Sequence, residues 1–231
     1  PPLMILFWGV ESFGMWIFFT SIPAIFYLLN INFNQAVIQE MTMFHSKGNK
    51  IKVEEAFQNG LALVILSTLI YLTIALCIYF FFGLDFSAVK SLSNYEINLI
   101  LLIVIVAFSI DLLKAIFVTG IQFQGKQYIE INIRSTFDII SKFTIAFSGI
   151  FFESLIYIAI IFLMFTICKF LIYYYYFIIN KQYLVLSFKK VSLKKISELL
   201  KLSIGNTLEA LHHLIKHHGL IILLGIFSNP Q

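Results

Sequence analysis

Long apolar runs separated by short polar connections make up most of this chain. Stretches long enough to span a bilayer run from Met15 to about Ile31, Gly60 to Phe82, Ile97 to about Ile121, Thr136 to Phe152, Leu155 to about Tyr176, and Ile204 to Phe227. A helix needs about 20 such residues to cross the hydrocarbon core, so each is expected to be a transmembrane helix. The predicted fold class is all-α, a polytopic membrane helix bundle. Before the polar break at Glu11, Leu3 to Val10 reads as the tail of one earlier span, and Pro23 is expected to kink the span that follows.

The bases sort the connections into two sets. Lys47, Lys50 and Lys52 lie in one, Lys126 and Arg134 in a second, and Lys181, Lys189, Lys190, Lys194, Lys195 and Lys201 in a third. The alternate connections, around Glu11, Gly83 to Glu96, and Glu153, hold only Lys90. Lysine and arginine gather on the cytoplasmic side, so the three basic connections are expected inside. Within the last of them, Lys189 to Lys201 carries Val191, Leu193, Ile196, Leu199 and Leu200 among its lysines. That pattern predicts an amphipathic helix on the inner membrane face, anchored by membrane lipids.

Composition agrees with a membrane protein. The chain of 231 residues is 60% hydrophobic and 12% charged, about half the charged share of a soluble domain, which is roughly 25%. Fifteen of its sixteen bases are lysines, and the lone Arg134 gives nucleic-acid recognition by arginine forks no basis. Cys77 and Cys168 sit inside apolar runs, so no disulfide framework is expected. The chain begins Pro1-Pro2-Leu3 and stops at Asn229-Pro230-Gln231, and it is read as an internal piece of a longer protein.

Charges inside the spans point to chemistry. An ionisable group at mid-bilayer costs roughly 2.5 to 3.5 kcal/mol, so a span that keeps one turns it toward a bundle interior or an aqueous cavity. At about 100° per residue, Asp111 and Lys114 fall within about 60° of each other, and Arg134, Asp138, Ser141 and Lys142 share an arc of about 100°. Glu209, His212, His213 and Lys216 share a similar arc on the last span, with His217 at its margin and His218 opposite. The simpler alternative is local pairing, Asp111 with Lys114 and Asp138 with Lys142, bracing the helices. Lys169 is expected to snorkel to the inner interface.

Other chemistries find little support. The imidazoles at 212, 213, 217 and 218 lack a carboxylate or cysteine at zinc-site spacing, so neither a metal nor a cofactor is expected. No nucleophile elbow or phosphate loop stands on a strand-to-helix turn, and no enzyme is predicted.

Trp8-Gly9-Val10-Glu11-Ser12-Phe13-Gly14-Met15-Trp16, Ser21-Ile22-Pro23, Asn32-Phe33-Asn34-Gln35-Ala36-Val37, Glu40-Met41 and Lys47-Gly48-Asn49 follow one another in an order that resembles the polysaccharide transporter branch of the multidrug/oligosaccharidyl-lipid/polysaccharide flippase superfamily. The resemblance is clearest over residues 7 to 60. An internal echo accompanies it, since Leu223 to Gln231 parallels Ile5 to Phe13, as repeats of a two-lobe transporter would.

The resemblance implies a two-lobe, inverted-V transporter. Residues 1–180 would form its N-terminal transmembrane lobe, 181–202 a basic cytoplasmic amphipathic connector, and 203–231 the first helix of the second lobe. It further implies an O-antigen-type flippase in a bacterial inner membrane that carries an undecaprenyl-pyrophosphate-linked oligosaccharide outward by alternating access, alongside glycosyltransferases or a polymerase of the same pathway. Lys114, Lys142, Lys216, His212 and His213 are the expected cations for the anionic headgroup, and Asn34 and Gln35 the expected sugar contacts. Asp111, Asp138 and Glu209 would bind a coupling ion or balance the lysines. The rivals are a multidrug and toxin extrusion-type cation antiporter and, in another class, a membrane polysaccharide polymerase or lipid-linked sugar transferase. The longest outer connection, Gly83 to Glu96, has no His or Arg, which argues against the enzyme.

Overall fold

The computed structural model describes residues 2–81, 93–151 and 154–214. Among these every regular element is helical: α1 Pro2–Ser46, α2 Lys50–Phe81, α3 Asn94–Leu113, α4 Ala115–Phe123, α5 Gln127–Phe151, α6 Leu155–Asn180 and α7 Leu193–Leu214. Among the described residues three stretches are long and apolar enough to cross a membrane by length and composition: Lys50–Cys77, Asn94–Phe123 and Leu155–Asn180. The first two exceed the expected spans because each helix continues past its apolar run into polar residues. In α5, Glu130, Arg134, Asp138 and Lys142 recur one turn apart and break the apolar run that the span needs.

Several expectations about breaks are corrected. The first span and its predecessor are two helices that meet at a kink, placed at Gly9 (φ 77°, ψ 165°) and not at Glu11. That left-handed φ is open to glycine at little cost. The backbone stays helical at Pro23 and the helix runs on to Ser46, where Gly48 (φ 69°) makes the turn into α2. The third run divides at Lys114, whose carbonyl accepts from both Phe117 N (3.0 Å) and Val118 N (3.3 Å), a local tightening of the helix. The surface helix and the start of the last span form one element, α7, with no break between 202 and 203; residues 215–231 lie outside the described part.

Two caps explain where spans begin. Ser93 and Glu96 form a reciprocal capping box at the start of α3, and the Ser154 hydroxyl accepts from Ile156 N (3.3 Å) ahead of α6.

Among the described residues the hydrophobic core has two large parts and a small third one of Tyr71, Ile105 and Leu112. One large part gathers Met15, Trp16 and Phe19 of α1 with Ile97, Ile100 and Val104 of α3 and Ile158 of α6. The other large part joins Val37 and Met41 of α1, Phe57 of α2, Ile121 of α4, Phe177 of α6, and Leu199 of α7. Helix α4 meets α6 closely, because a Cβ on Gly120 would lie 2.6 Å from the Phe177 ring. The lysine-rich connections all meet at the second core's end of the bundle. There Tyr183 Oη is 3.2 Å from His45 Nδ1, Lys126 bonds Asn180, and Lys190 pairs with Glu54.

Candidate functional site

Between the two cores lies a layer of charge. Along Asn94–Phe123, Asp111 and Lys114 separate Val104 of one core from Ile116 of the other. On α6, Lys169 separates Ile158 from Tyr173, and on α5 Asp138 precedes Ile145. Asp111, Asp138 and Lys169 each lie within about three residues of the middle of their helices, counting Asn94–Phe123 as one span. The sequence puts these charges near the middle of their helices, and the fold brings them to one cavity.

The helices meet there around a cavity of about 310 Å³. Its charged lining is Asp111, Lys114, Glu130, Arg134, Asp138 and Lys169, with Asn34, Gln35, Gln122 and Tyr173 adding uncharged polar groups. A second chamber of similar size adjoins it through Asp111, Arg134, Asp138 and Lys169. Its other walls are Phe108, Phe137, Phe162 and Phe165, with Ser141 and Thr166.

Every charge in the first chamber has an opposite partner. Lys114 bonds Asp111, Arg134 Nε lies 3.4 Å from Glu130 Oε1, and Lys169 Nζ donates to Asp138 Oδ1 at 2.9 Å. Three carboxylates face three cations, so the chamber is formally neutral. Lys114 and Glu130 side chains are each 7% exposed, where an unmatched charge would be costly. Lys114 also lies 5.8 Å from the centroid of the Tyr173 ring, whose hydroxyl donates to the Glu130 carbonyl (3.2 Å).

The expected residues divide as follows. Lys114, Asp111, Asp138, Asn34 and Gln35 line the first chamber together. Lys142 does not line either chamber; its side chain is exposed on α5. Asp138 pairs across helices with Lys169 in place of the local Lys142 partner. Glu209, His212 and His213 stand on the α7 backbone, but their side chains lie outside the described residues, as does the whole of Lys216.

Lys169 and Glu130 were missed as site residues. Lys169 does not snorkel: it is about 16 Å along the helix from Asn180, farther than its side chain reaches, and its ammonium group turns to Asp138. A lone lysine near the centre of an apolar span was the available signal. For Glu130 it was the spacing of four to Arg134. Compared with protein-family models, curated proteins and solved structures, the chain matches none.

Proposed function

We propose that this chain is part of a membrane flippase that moves a lipid-linked oligosaccharide across the bacterial inner membrane for cell-surface polysaccharide synthesis. The observation that carries the reading is the set of three ion pairs around one cavity, two of which, Lys114–Asp111 and Lys169–Asp138, lie near the middle of their helices. Sugars and phosphates cannot cross hydrocarbon unaided, and a transporter must give them a polar enclosure at that depth. The resemblance over residues 7 to 60 supplies the family.

In this reading the ion pairs hold the empty chamber neutral. An anionic headgroup enters by taking Lys114, Arg134 or Lys169 from its carboxylate partner, so exchange of partners replaces desolvation of a bare cation. Asn34, Gln35 and Gln122 meet sugar hydroxyls with paired donors and acceptors. Asp111 and Asp138 balance the lysines when cargo is absent, and a two-lobe arrangement opens the chamber to each side in turn.

The test is vesicles containing the full-length protein and an undecaprenyl-pyrophosphate oligosaccharide, with arrival at the far leaflet read by lectin binding. Lys169→Ala is expected to slow arrival about tenfold or more while inserting normally, since a charge-assisted contact is worth roughly 1.5 to 3 kcal/mol. Unchanged arrival contradicts the proposal.

One observation favours a second reading, the cation antiporter. The adjoining chamber has four phenylalanine walls beside Asp111 and Asp138, a setting that suits an aromatic or quaternary cation. Uptake of tetraphenylphosphonium by the same vesicles, with no lectin signal, is the result that selects it.

A further inference from the structure

We infer that the connector between α6 and α7, together with the first turns of α7, is a binding surface for anionic phospholipid headgroups, formed by four of the six lysines between residues 181 and 201. The fold divides these lysines into two kinds. Lys190 pairs with Glu54 of α2, and Lys195 lies 3.4 Å from Glu40 of α1 and 2.9 Å from Glu198. Those two tie the connector to the bundle. Lys181, Lys189, Lys194 and Lys201 are exposed, and among the described residues no carboxylate lies within ion-pair distance of them. Glu198, the nearest acid to Lys194 and Lys201, is already held by Lys195, and that hydrogen bond keeps its carboxyl below the usual range.

Apolar groups stand among the four. Val185, Leu186, Phe188 and Leu193 are exposed, Leu193 at 86%. The apolar side of α7 cannot serve the membrane as the sequence implied, because Ile196 and Leu199 are buried against α1 and α2. What remains outward is lysine alternating with apolar side chains. This surface follows Asn180, the end of a membrane-spanning helix, so chain connectivity holds it at the bilayer boundary. Exposed apolar groups enter the headgroup zone there, and free ammonium groups meet lipid phosphates.

The connector is also built to stay in place. Asn59 is fully buried; its amide donates to the Lys190 carbonyl (3.2 Å), and its oxygen accepts from Ser192 N (2.9 Å). Gln58 Oε1 accepts from Lys190 N (3.0 Å). Two consecutive amides thus hold the segment like a neighbouring strand, leaving the four free lysines on a fixed surface rather than a loose tail.

The experiment places the full protein in nanodiscs of phosphatidylcholine, or of phosphatidylcholine with phosphatidylglycerol, and follows lysine acylation residue by residue. Lys181, Lys189, Lys194 and Lys201 are expected to react several-fold more slowly in the anionic discs, and high salt should remove the difference. Retained phosphatidylglycerol, read by native mass spectrometry, should fall roughly fivefold for each of Lys189→Gln and Lys194→Gln. Equal acylation in both discs overturns the inference, as does protection that is the same without anionic lipid, which would mean a protein surface covers the lysines. The wild-type acylation arm decides the matter even if a variant misfolds.

Discussion

Near the middle of α6 the Lys169 ammonium group meets Asp138, 31 residues away in sequence, but the Asp138 side chain is 46% exposed, and the larger energy rests on the more enclosed Asp111–Lys114 pair. Removing one partner of a buried pair strands the other charge, at a cost of about 3 to 5 kcal/mol, whereas replacing both with apolar groups is often close to neutral. Asp111→Leu is therefore expected to lower the thermal midpoint of the purified protein sharply, and adding Lys114→Leu to recover most of the loss. Additive losses in the double variant would show that the two side chains act separately. The same physics explains what the sequence revealed. Asp111 and Lys114 share one helix, and a stripe at helical spacing foretells their meeting; Asp138 and Lys169 meet only because α5 and α6 pack together. Lys142 shows the converse, for it shares an arc with Asp138 yet sits at its edge, where a modest rotation of α5 leaves it outside.

At the scale of elements, the helical class follows from the long apolar runs, but helix ends depend on local backbone chemistry. The turn at Gly48 was legible in Ser46-Lys47-Gly48-Asn49, whereas the division at Lys114 has no proline or glycine to mark it. The amphipathic pattern of α7 was also visible. Its docking was not, since burial against α1 and α2 depends on Asn59 and Gln58, two polar residues that one-dimensional periodicity reads as surface. Asn59→Leu leaves the Lys190 carbonyl and Ser192 N–H without their partner and is expected to cost about 1 to 3 kcal/mol, with faster amide exchange at the start of α7. Gly120→Leu drives new atoms into the buried Phe177 ring and is expected to cost about 1 to 3 kcal/mol in thermal unfolding. The Lys195–Glu198 pair gives α7 a pH signature. Hydrogen bonding lowers the Glu198 pKa and raises that of Lys195, so the pair's contribution is complete above the ordinary glutamate range and below the ordinary lysine range. Protection of the α7 amides, taken relative to the intrinsic exchange rate at each pH, should fall as pH drops through the lowered Glu198 value, and Glu198→Gln should remove that dependence.

For the described residues as a whole, two large apolar clusters flank the ion pairs around the cavity, which forms a polar waist in a bundle with three helices able to cross a membrane. The basic connections at one end match the side on which lysines accumulate, and their cross-links give that end a fixed shape. Whether the waist serves transport turns on its contact with water. The most direct measurement uses the full protein with Cys77→Ser and Cys168→Ser, since both natural thiols are exposed on the bundle. Into it Ser141→Cys or Thr166→Cys, which line the aromatic chamber, is introduced, with Leu171→Cys on the outer face of α6 as the comparison. Reaction with a membrane-impermeant, charged thiol reagent is expected at 141 and 166, and to slow when lipid-linked oligosaccharide is added, while 171 stays inert. Silence at 141 and 166 equal to that at 171 would mean a dry, sealed layer and would contradict the account.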